Sequence, residues 1–234
     1  MTITLANEVR AVLLDIEGTT TPIAFVHEVL FSYARTHLRE FLEKHLQDHD
    51  VQSDVELLRA EAGTNLTDNL EALTKHINSL IDLDRKSTGL KSLQGKIWQQ
   101  GYADGSLQAQ VFADVAAALA RWRVAGLSIN IFSSGSVLAQ QLLFGHTEAG
   151  DLTPFINNYF DTSVGRKGEA GSYRRIAETI GVEANEVLFI SDVVTELAAA
   201  REAGMGTLLS LRPGNQPQQS AEQYETIRSF DEIE

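Results

Sequence analysis

The sequence contains no cysteine, no long apolar run and few basic side chains for its length. The absence of cysteine excludes disulfide bonds, thiol catalysis and metal sites built from thiolates. Lys and Arg number 19 against 32 Asp and Glu, which leaves a formal net charge of −13. Because a nucleic-acid-binding protein needs a basic face to neutralise phosphates, this composition argues against nucleic acid as a partner.

Membranes are disfavoured on similar grounds. No run of about 18 apolar residues is present to cross a bilayer, and anionic lipid surfaces attract basic segments that this chain lacks. The first apolar run, residues 11–14, has no basic region before it and ends at Asp15, so we expect no signal peptide. These absences predict a soluble, cytoplasmic globular protein, in which the 43% of apolar residues form a core.

The order of the predicted elements indicates an α/β fold. Short apolar runs that end in polar or glycine-bearing loops predict strands at 9–14, 127–132, 186–191 and 207–211, with a further short strand ending at Phe160. Helical patterns separate them, at 114–124, 137–144, 172–180 and 196–203. Strands that alternate with helices indicate a doubly wound parallel sheet. Residues 215–234 form a polar tail in which Ile227 and Phe230 are the expected anchors.

Residues 24–102 interrupt this alternation. Their apolar positions recur at three- and four-residue steps without a strand pattern, which predicts helices, and Thr67 with Asp68 is the expected cap of one of them. The stretch is too long for a single crossover between strands. We therefore predict a core formed by residues 1–22 and 105–234, with an inserted all-helical domain at 23–104.

Polar residues follow several of the predicted strands. In open α/β sheets, ligands bind beyond the carboxyl ends of the strands, so residues at those positions are expected to converge. In chain order they are Asp15, Glu17, Ser133, Ser134, Gly135, Lys167 and Asp192.

The carboxylates of this set suit a hard cation. Oxygen ligands without a neighbouring Cys or His favour Mg²⁺, for which Asp15, Glu17 and Asp192 are the candidate ligands. A carboxylate can also attack phosphorus and form an aspartyl-phosphate, which is the role we predict for Asp15. Glu17, two residues on, can protonate the leaving oxygen and then deprotonate water.

The remaining members suit a phosphate group. The hydroxyls of Ser133 and Ser134 and the backbone N–H of Gly135 are typical phosphate ligands at a strand-to-helix turn. Lys167 adds a compact positive charge for phosphate oxygens or for an attacking carboxylate.

Each of these residues also has an interpretation that needs no ligand. Asp15 can simply start a turn, Asp192 and the two serines can cap helices, and Lys167 can be a solvated surface lysine. Glu196, four residues after Asp192, is evenly balanced between supporting the metal from an outer shell and complementing a helix dipole. Their occurrence together and in order favours the functional interpretation.

The ordered motifs resemble a known superfamily. An Asp-x-acid-Gly-Thr string after the first strand, a Ser after the second, a Lys before a helix and an Asp after a later strand follow one another here. This order resembles the haloacid dehalogenase superfamily of phosphohydrolases, and the helical insertion is similar to that superfamily's cap domain.

Further strings extend the resemblance over nearly the whole chain. Glu17 stands where most of these phosphatases have Asp, and characteristic strings lie at 15–23, 133–136, 142–146, 150–154, 159–162, 172–173, 191–193 and 212–215. Together they resemble the acireductone-forming enolase-phosphatases of methionine salvage. Ala113 and Ala198 depart from that pattern, but neither belongs to the convergent set.

The resemblance implies a bifunctional reaction on a small phosphorylated diketone, 2,3-diketo-5-methylthiopentyl-1-phosphate. Enolisation is followed by dephosphorylation, which releases acireductone (1,2-dihydroxy-3-keto-5-methylthiopentene) and phosphate. The resemblance also implies one Mg²⁺ per subunit and a monomeric enzyme. The base for the enolisation step stays open between Glu17 and Lys167.

Three alternatives stand beside this interpretation. Another magnesium-dependent phosphatase of the same superfamily is disfavoured by Glu17 and by the strings at 142–154. A phospho-acceptor receiver module is disfavoured because such modules are about half this length and carry adjacent acids on the first strand. A catalytically inactive scaffold is disfavoured because Asp15, Ser133, Lys167 and Asp192 are all present.

Overall fold

A computed structural model describes residues 2–62, 69–83, 85 and 87–234. The chain divides into two compact units, Met1–Phe25 with Ala109–Glu234, and Val26–Gln108. The boundaries expected from the sequence lie three and four residues earlier, and the identity of the second unit as a cap domain stays a prediction. The expected helix cap at Thr67 and Asp68 lies outside the described residues.

The first unit contains a six-stranded parallel sheet, which confirms the predicted fold class. Its order is β3-β2-β1-β4-β5-β6, with every neighbouring pair parallel. The strands are β1 (Ala11–Leu14), β2 (Ser128–Phe132), β3 (Asn158–Phe160), β4 (Val187–Ser191), β5 (Gly206–Ser210) and β6 (Thr226–Ile227).

Strand β1 lies in the interior of the sheet because its sequence is apolar throughout. It pairs with β2 on one side and with β4 on the other, and all four of its residues are fully buried. A continuous apolar run is typical of a parallel strand that is covered on both faces. The residues that follow β1 are therefore delivered to the middle of the carboxyl edge.

The sequence pattern does not predict strand β6. It has only two residues, too few for a periodic pattern, yet Ile227 pairs with Ser210 of β5. Ile227 and Phe230 are buried as expected for anchors, so the tail completes the sheet at its edge.

The second unit is helical over its described residues. A π-helical segment, Phe25–Leu30, precedes α1 (Phe31–His45), α2 (His49–Ala62), α3 (Leu70–Asp82) and α4 (Thr88–Asp104). Helix α4 approaches α1 closely at Gly101, where a Cβ atom would lie 2.6 Å from the Tyr33 ring. An ion pair between Lys96 and the buried Asp54 links α4 to α2.

Helices also cover the sheet of the first unit. They are α5 (Val115–Val124), α6 (Val137–Gly145), α7 (Ala170–Ile180) and α8 (Val194–Glu202). Helix α7 ends at Gly181, which adopts a φ of 85° that favours glycine. Within the described ranges, no helix combines the length and apolar character needed to cross a membrane.

A buried arginine joins distant segments of the first unit. Arg212 follows β5 and pairs with Asp114: its Nη1 donates a hydrogen bond to Oδ1 at 3.0 Å, and its Nη2 lies at an ion-pair distance of 2.8 Å from Oδ2. Its Nε donates to the Thr19 carbonyl at 3.1 Å and its Nη1 to the Arg228 carbonyl at 2.9 Å. The guanidinium also stacks 4.7 Å from the Phe230 ring. The loop after β1 is therefore tied to the tail of the chain.

We expect Arg212→Met to lower the free energy of unfolding by about 3–5 kcal/mol, because Asp114 would remain buried without its cationic partner. Urea unfolding measures this loss. The control is Arg123→Met, since exposed Arg123 makes one bond of 3.0 Å to Asn157 and should change stability by about 0.5 kcal/mol or less. Equal losses in the two variants would contradict a special role for the buried pair.

Candidate active site

The strand order brings distant residues to one edge of the sheet. Asp15 follows β1, and the two neighbours of β1 deliver Ser133 after β2 and Asp192 after β4. Lys167 reaches the same edge from the loop before α7, since its ammonium contacts Asp15. The structure thus brings together Asp15 and Lys167, and places Ser133 and Asp192 on the adjoining loops.

Lys167 lies between two carboxylates. Its Nζ is 2.5 Å from Oδ1 of Asp15 and 2.6 Å from Oε2 of Glu196, and its side chain is only 11% exposed. Its backbone carbonyl accepts a hydrogen bond of 2.7 Å from the Tyr173 hydroxyl. Burial alone lowers the pKa of Lys167, but the charges of Asp15 and Glu196 outweigh burial and raise this pKa above its usual range. Lys167 is therefore not a solvated surface lysine.

Ser191 completes the arrangement around Asp15. Its Oγ lies 3.3 Å from Oδ2 of Asp15 and 3.0 Å from Oε2 of Glu196, and it accepts the Val193 N–H at 3.1 Å. The sequence pattern does not distinguish Ser191 from other polar residues, and it leaves two roles open for Glu196. Glu196 faces Lys167 and Ser191, so it supports the nucleophile candidate rather than only the helix dipole.

Asp192 is a buried carboxylate without a cationic partner. It is 7% exposed, and no basic side chain in the described part of the chain forms an ion pair with it. Burial, followed by the charges of Asp15 and Glu196, raises the pKa of Asp192 to about 7. It does not cap α8, because that position belongs to Val193, which has no side-chain cap.

The donor set at this edge fits a hard cation. All candidate ligand atoms are oxygens, which suit Mg²⁺, and the Asp192 carboxylate has no ion-pair partner among the described residues. Within the described ranges, however, no group of three or more His, Asp or Glu side chains is arranged to hold a metal ion. Two carboxylates, Asp15 and Asp192, are thus the side chains that fit, with backbone and water oxygens left to complete a coordination shell.

Glu17 and Gly18 form the turn that follows Asp15. Glu17 is half-buried, and its backbone bridges to Thr21. Gly18 has a φ of 68°, and a Cβ atom at Gly18 would lie 2.7 Å from Cγ of Asp192. Only glycine fits here, because the Asp192 carboxylate packs directly against the Gly18 backbone.

The turn after β2 presents the hydroxyl groups. Ser133 is buried and its Oγ accepts the Gly135 N–H at 3.2 Å, which leaves its hydroxyl hydrogen to donate elsewhere. Ser134 and Gly135 follow at half-buried positions. The cap of α6 is Ser136, whose side chain accepts the Ala139 N–H at 3.3 Å, so neither Ser133 nor Ser134 serves that purpose.

A buried lysine and acidic residues beside a hydroxyl-bearing turn, all at the carboxyl edge of a parallel sheet, define the ligand-binding site of an open α/β protein. The sequence pattern of the haloacid dehalogenase-like hydrolases matches residues 9–204. The chain belongs to this family.

Two curated relatives are similar to this chain over almost its whole length. The chain is 54% identical to enolase-phosphatase E1 of Synechococcus elongatus, over 98% of this chain and 99% of that protein. It is 46% identical to enolase-phosphatase E1 of Pseudomonas aeruginosa, over 96% and 98% of the two chains.

Solved structures agree with this assignment. The UTR4 protein of Saccharomyces cerevisiae superposes on this chain with a TM-score of 0.81 at 38% identity. The match covers 95% of this chain and 99% of the UTR4 chain. A dehalogenase superposes with a TM-score of 0.57 at 20% identity, over 97% and 96% of the two chains, which reflects the shared fold alone.

The Asp192 carboxyl makes metal-free stability depend on pH. Its pKa is about 7 in the folded protein and about 3.9 in an unfolded chain. A carboxyl whose pKa rises on folding favours the folded state at low pH, and this contribution is lost as the pH rises through about 7. We therefore expect metal-free Asp192→Asn to melt a few degrees above the parent protein at about pH 8, and the difference to shrink at about pH 5.

Circular dichroism melting curves at both pH values, with and without Mg²⁺, check this expectation. Mg²⁺ should raise the melting temperature of the parent protein and leave Asp192→Asn nearly unchanged. If the melting temperatures of the two metal-free proteins depend on pH in the same way, the Asp192 carboxylate does not destabilise the folded state at high pH.

Proposed function

We propose that this protein is a bifunctional enolase-phosphatase of methionine salvage. It converts 2,3-diketo-5-methylthiopentyl-1-phosphate into acireductone and phosphate. The observation that carries the proposal is the contact of Lys167 with Asp15, which places a lysine against a nucleophile candidate at the carboxyl edge of the sheet. The identity to proteins named enolase-phosphatase E1, over nearly the full chain, supports the choice of substrate.

Dephosphorylation uses Asp15 as the nucleophile. Its carboxylate attacks phosphorus, the bond from phosphorus to the substrate oxygen breaks, and an aspartyl-phosphate forms. Glu17 donates a proton to the leaving oxygen, then takes a proton from the water that attacks the aspartyl-phosphate. Phosphate leaves, and Asp15 returns to its free carboxylate.

Phosphate is held by groups from two loops. Ser133 and Ser134 donate their hydroxyl hydrogens to phosphate oxygens, and the turn at Gly135 contributes its backbone. The ammonium of Lys167 interacts with the phosphate and holds Asp15 in position for attack. Both loops belong to the same compact unit as the nucleophile.

Enolisation precedes phosphate release and requires a base beside the diketone. We assign the base to Glu17, because the ammonium of Lys167 is already engaged with Asp15 and Glu196. Lys167 instead supplies positive charge near the anion that develops.

One Mg²⁺ per subunit, when bound, supplies Lewis-acid charge for the phosphate and for the developing enediolate. Asp15 and Asp192 would hold it with their side chains, and Glu17 with its backbone carbonyl. The role of Glu17 as an acid and base then stays available to its side chain.

The enzyme acts as a cytoplasmic monomer on this small phosphorylated diketone, without nucleic acid or membrane as a partner. The net charge of −13 repels an anionic substrate. Capture therefore depends on local groups, namely Lys167, the serine hydroxyls and the cation.

Asp15→Asn should lower phosphate release by about 10⁴-fold or more, because the amide cannot form the phosphorylated intermediate. Phosphate detection under saturating Mg²⁺ measures the rate. Asn157→Asp, at an exposed position of the first unit, is a matched control that should keep the parent rate. Full activity of Asp15→Asn would disprove the covalent mechanism.

The reaction itself is tested with the diketo phosphate and Mg²⁺. Both an enediol absorbance and free phosphate are expected, and Glu17→Gln should diminish the enediol signal by about 10²–10⁴-fold. Phosphate release without the enediol would reassign the protein to the other magnesium-dependent small-molecule phosphatases of its family.

A further inference from the structure

The side chain of Asn215 has an orientation fixed by two backbone carbonyls. Asn215 lies in the loop after β5, and its Nδ2 donates to the Gly18 carbonyl at 2.9 Å and to the Ser210 carbonyl at 3.1 Å. Both amide hydrogens are therefore used. Rotating the amide by half a turn would direct its oxygen at two carbonyl oxygens, so Oδ1 must face the other way.

The oxygen of this amide is buried and unsatisfied. Among the described residues, no group donates a hydrogen bond to Oδ1 of Asn215. A buried acceptor without a donor destabilises the folded protein, and native structures contain few such atoms. A donor that belongs to the functioning protein is therefore expected at this position.

The location of Oδ1 indicates which donor this is. A Cβ atom at Gly18 would lie 2.8 Å from Oδ1 of Asn215 and 2.7 Å from Cγ of Asp192. The amide oxygen and the Asp192 carboxylate thus border the same small region beside the Gly18 backbone. The amide oxygen and the ionised Asp192 carboxylate are both acceptors, so they require donors or positive charge between them rather than contact with each other.

We propose that Asn215 is a positioning residue of the magnesium centre, and that its Oδ1 accepts a hydrogen bond from a water molecule of the hydrated cation. This inference rests on the proposed magnesium dependence and on Asp192 as a ligand. Mg²⁺ keeps several of its waters when proteins bind it, and such waters are strong donors. Outer-shell partners of this kind set metal affinity.

The donor side of the amide has a separate role. Ser210 Oγ also donates to the Gly18 carbonyl, at 3.2 Å, so two side chains hold the turn after Asp15. Ser210→Ala removes one of these bonds and leaves Oδ1 of Asn215 in place. Asn215→Leu, of similar size, removes both the bond to the turn and the acceptor oxygen.

Isothermal titration of metal-free protein with MgCl₂, at near-neutral pH and without substrate, separates the two roles. We expect the Kd for Mg²⁺ to rise by about 10–100-fold in Asn215→Leu and to stay close to the parent value in Ser210→Ala. Metal-free melting temperatures show whether each variant is folded, and Asn215→Ala replaces the leucine variant if that one does not fold.

The inference is overturned if Asn215→Leu binds Mg²⁺ as tightly as the parent protein. It is also overturned if Asn215→Leu and Ser210→Ala lose the same affinity for Mg²⁺, because the effect would then come from the turn alone. If the parent protein binds no Mg²⁺, both the proposed magnesium dependence and this inference fail. Binding by the parent with an unchanged Asn215→Leu leaves the magnesium assignment intact and removes only the inference.

Discussion

The ion pairs of the buried Lys167 ammonium with Asp15 and Glu196 are the interaction on which the site depends. Without this charge, Asp15 after β1 would repel Asp192 after β4 and Glu196 in α8, in a region with little solvent. One lysine does not balance them, because Asp192 stays buried without an ion-pair partner among the described residues, and its pKa rises accordingly. The carboxyl edge of the sheet therefore carries more negative than positive charge. A divalent cation bound there would offset the charge of the carboxylates and also that of a phosphate-bearing substrate.

The parallel sheet makes this arrangement possible. Strand β1 lies between β2 and β4, so the loops that carry the nucleophile, the serine hydroxyls and Asp192 are neighbours although they are far apart in sequence. The apolar side chains of β1 are fully buried, and their packing fixes the position of Asp15 more firmly than a surface loop would. Rigidity of the strands is therefore transmitted to the reacting groups at their ends.

The sequence predicts those parts of the molecule that follow from residue type and local pattern. Strand β1 can be predicted because its four apolar residues are followed directly by an acidic residue. Strand β6 has only two residues and is defined by its pairing with β5. Asp15, Lys167 and Asp192 are detectable because their chemistry and their positions after strands coincide. The roles of Ser191, Glu196 and Asn215 are not detectable in this way, because they depend on side-chain directions and on contacts between distant segments. The sequence also does not show which serine of the turn after β2 caps α6, and the structure identifies it as Ser136 rather than Ser133.

Arg212 has a consequence for the order in which the enzyme acquires its function. It links the carbonyl of Thr19, in the loop of the nucleophile, to Asp114 and to the carbonyl of Arg228. During synthesis the ribosome makes the loop of the nucleophile early, whereas Arg212, which braces that loop, follows Thr19 by 193 residues. A nascent chain therefore carries its reactive carboxylate long before the loop that holds it is braced.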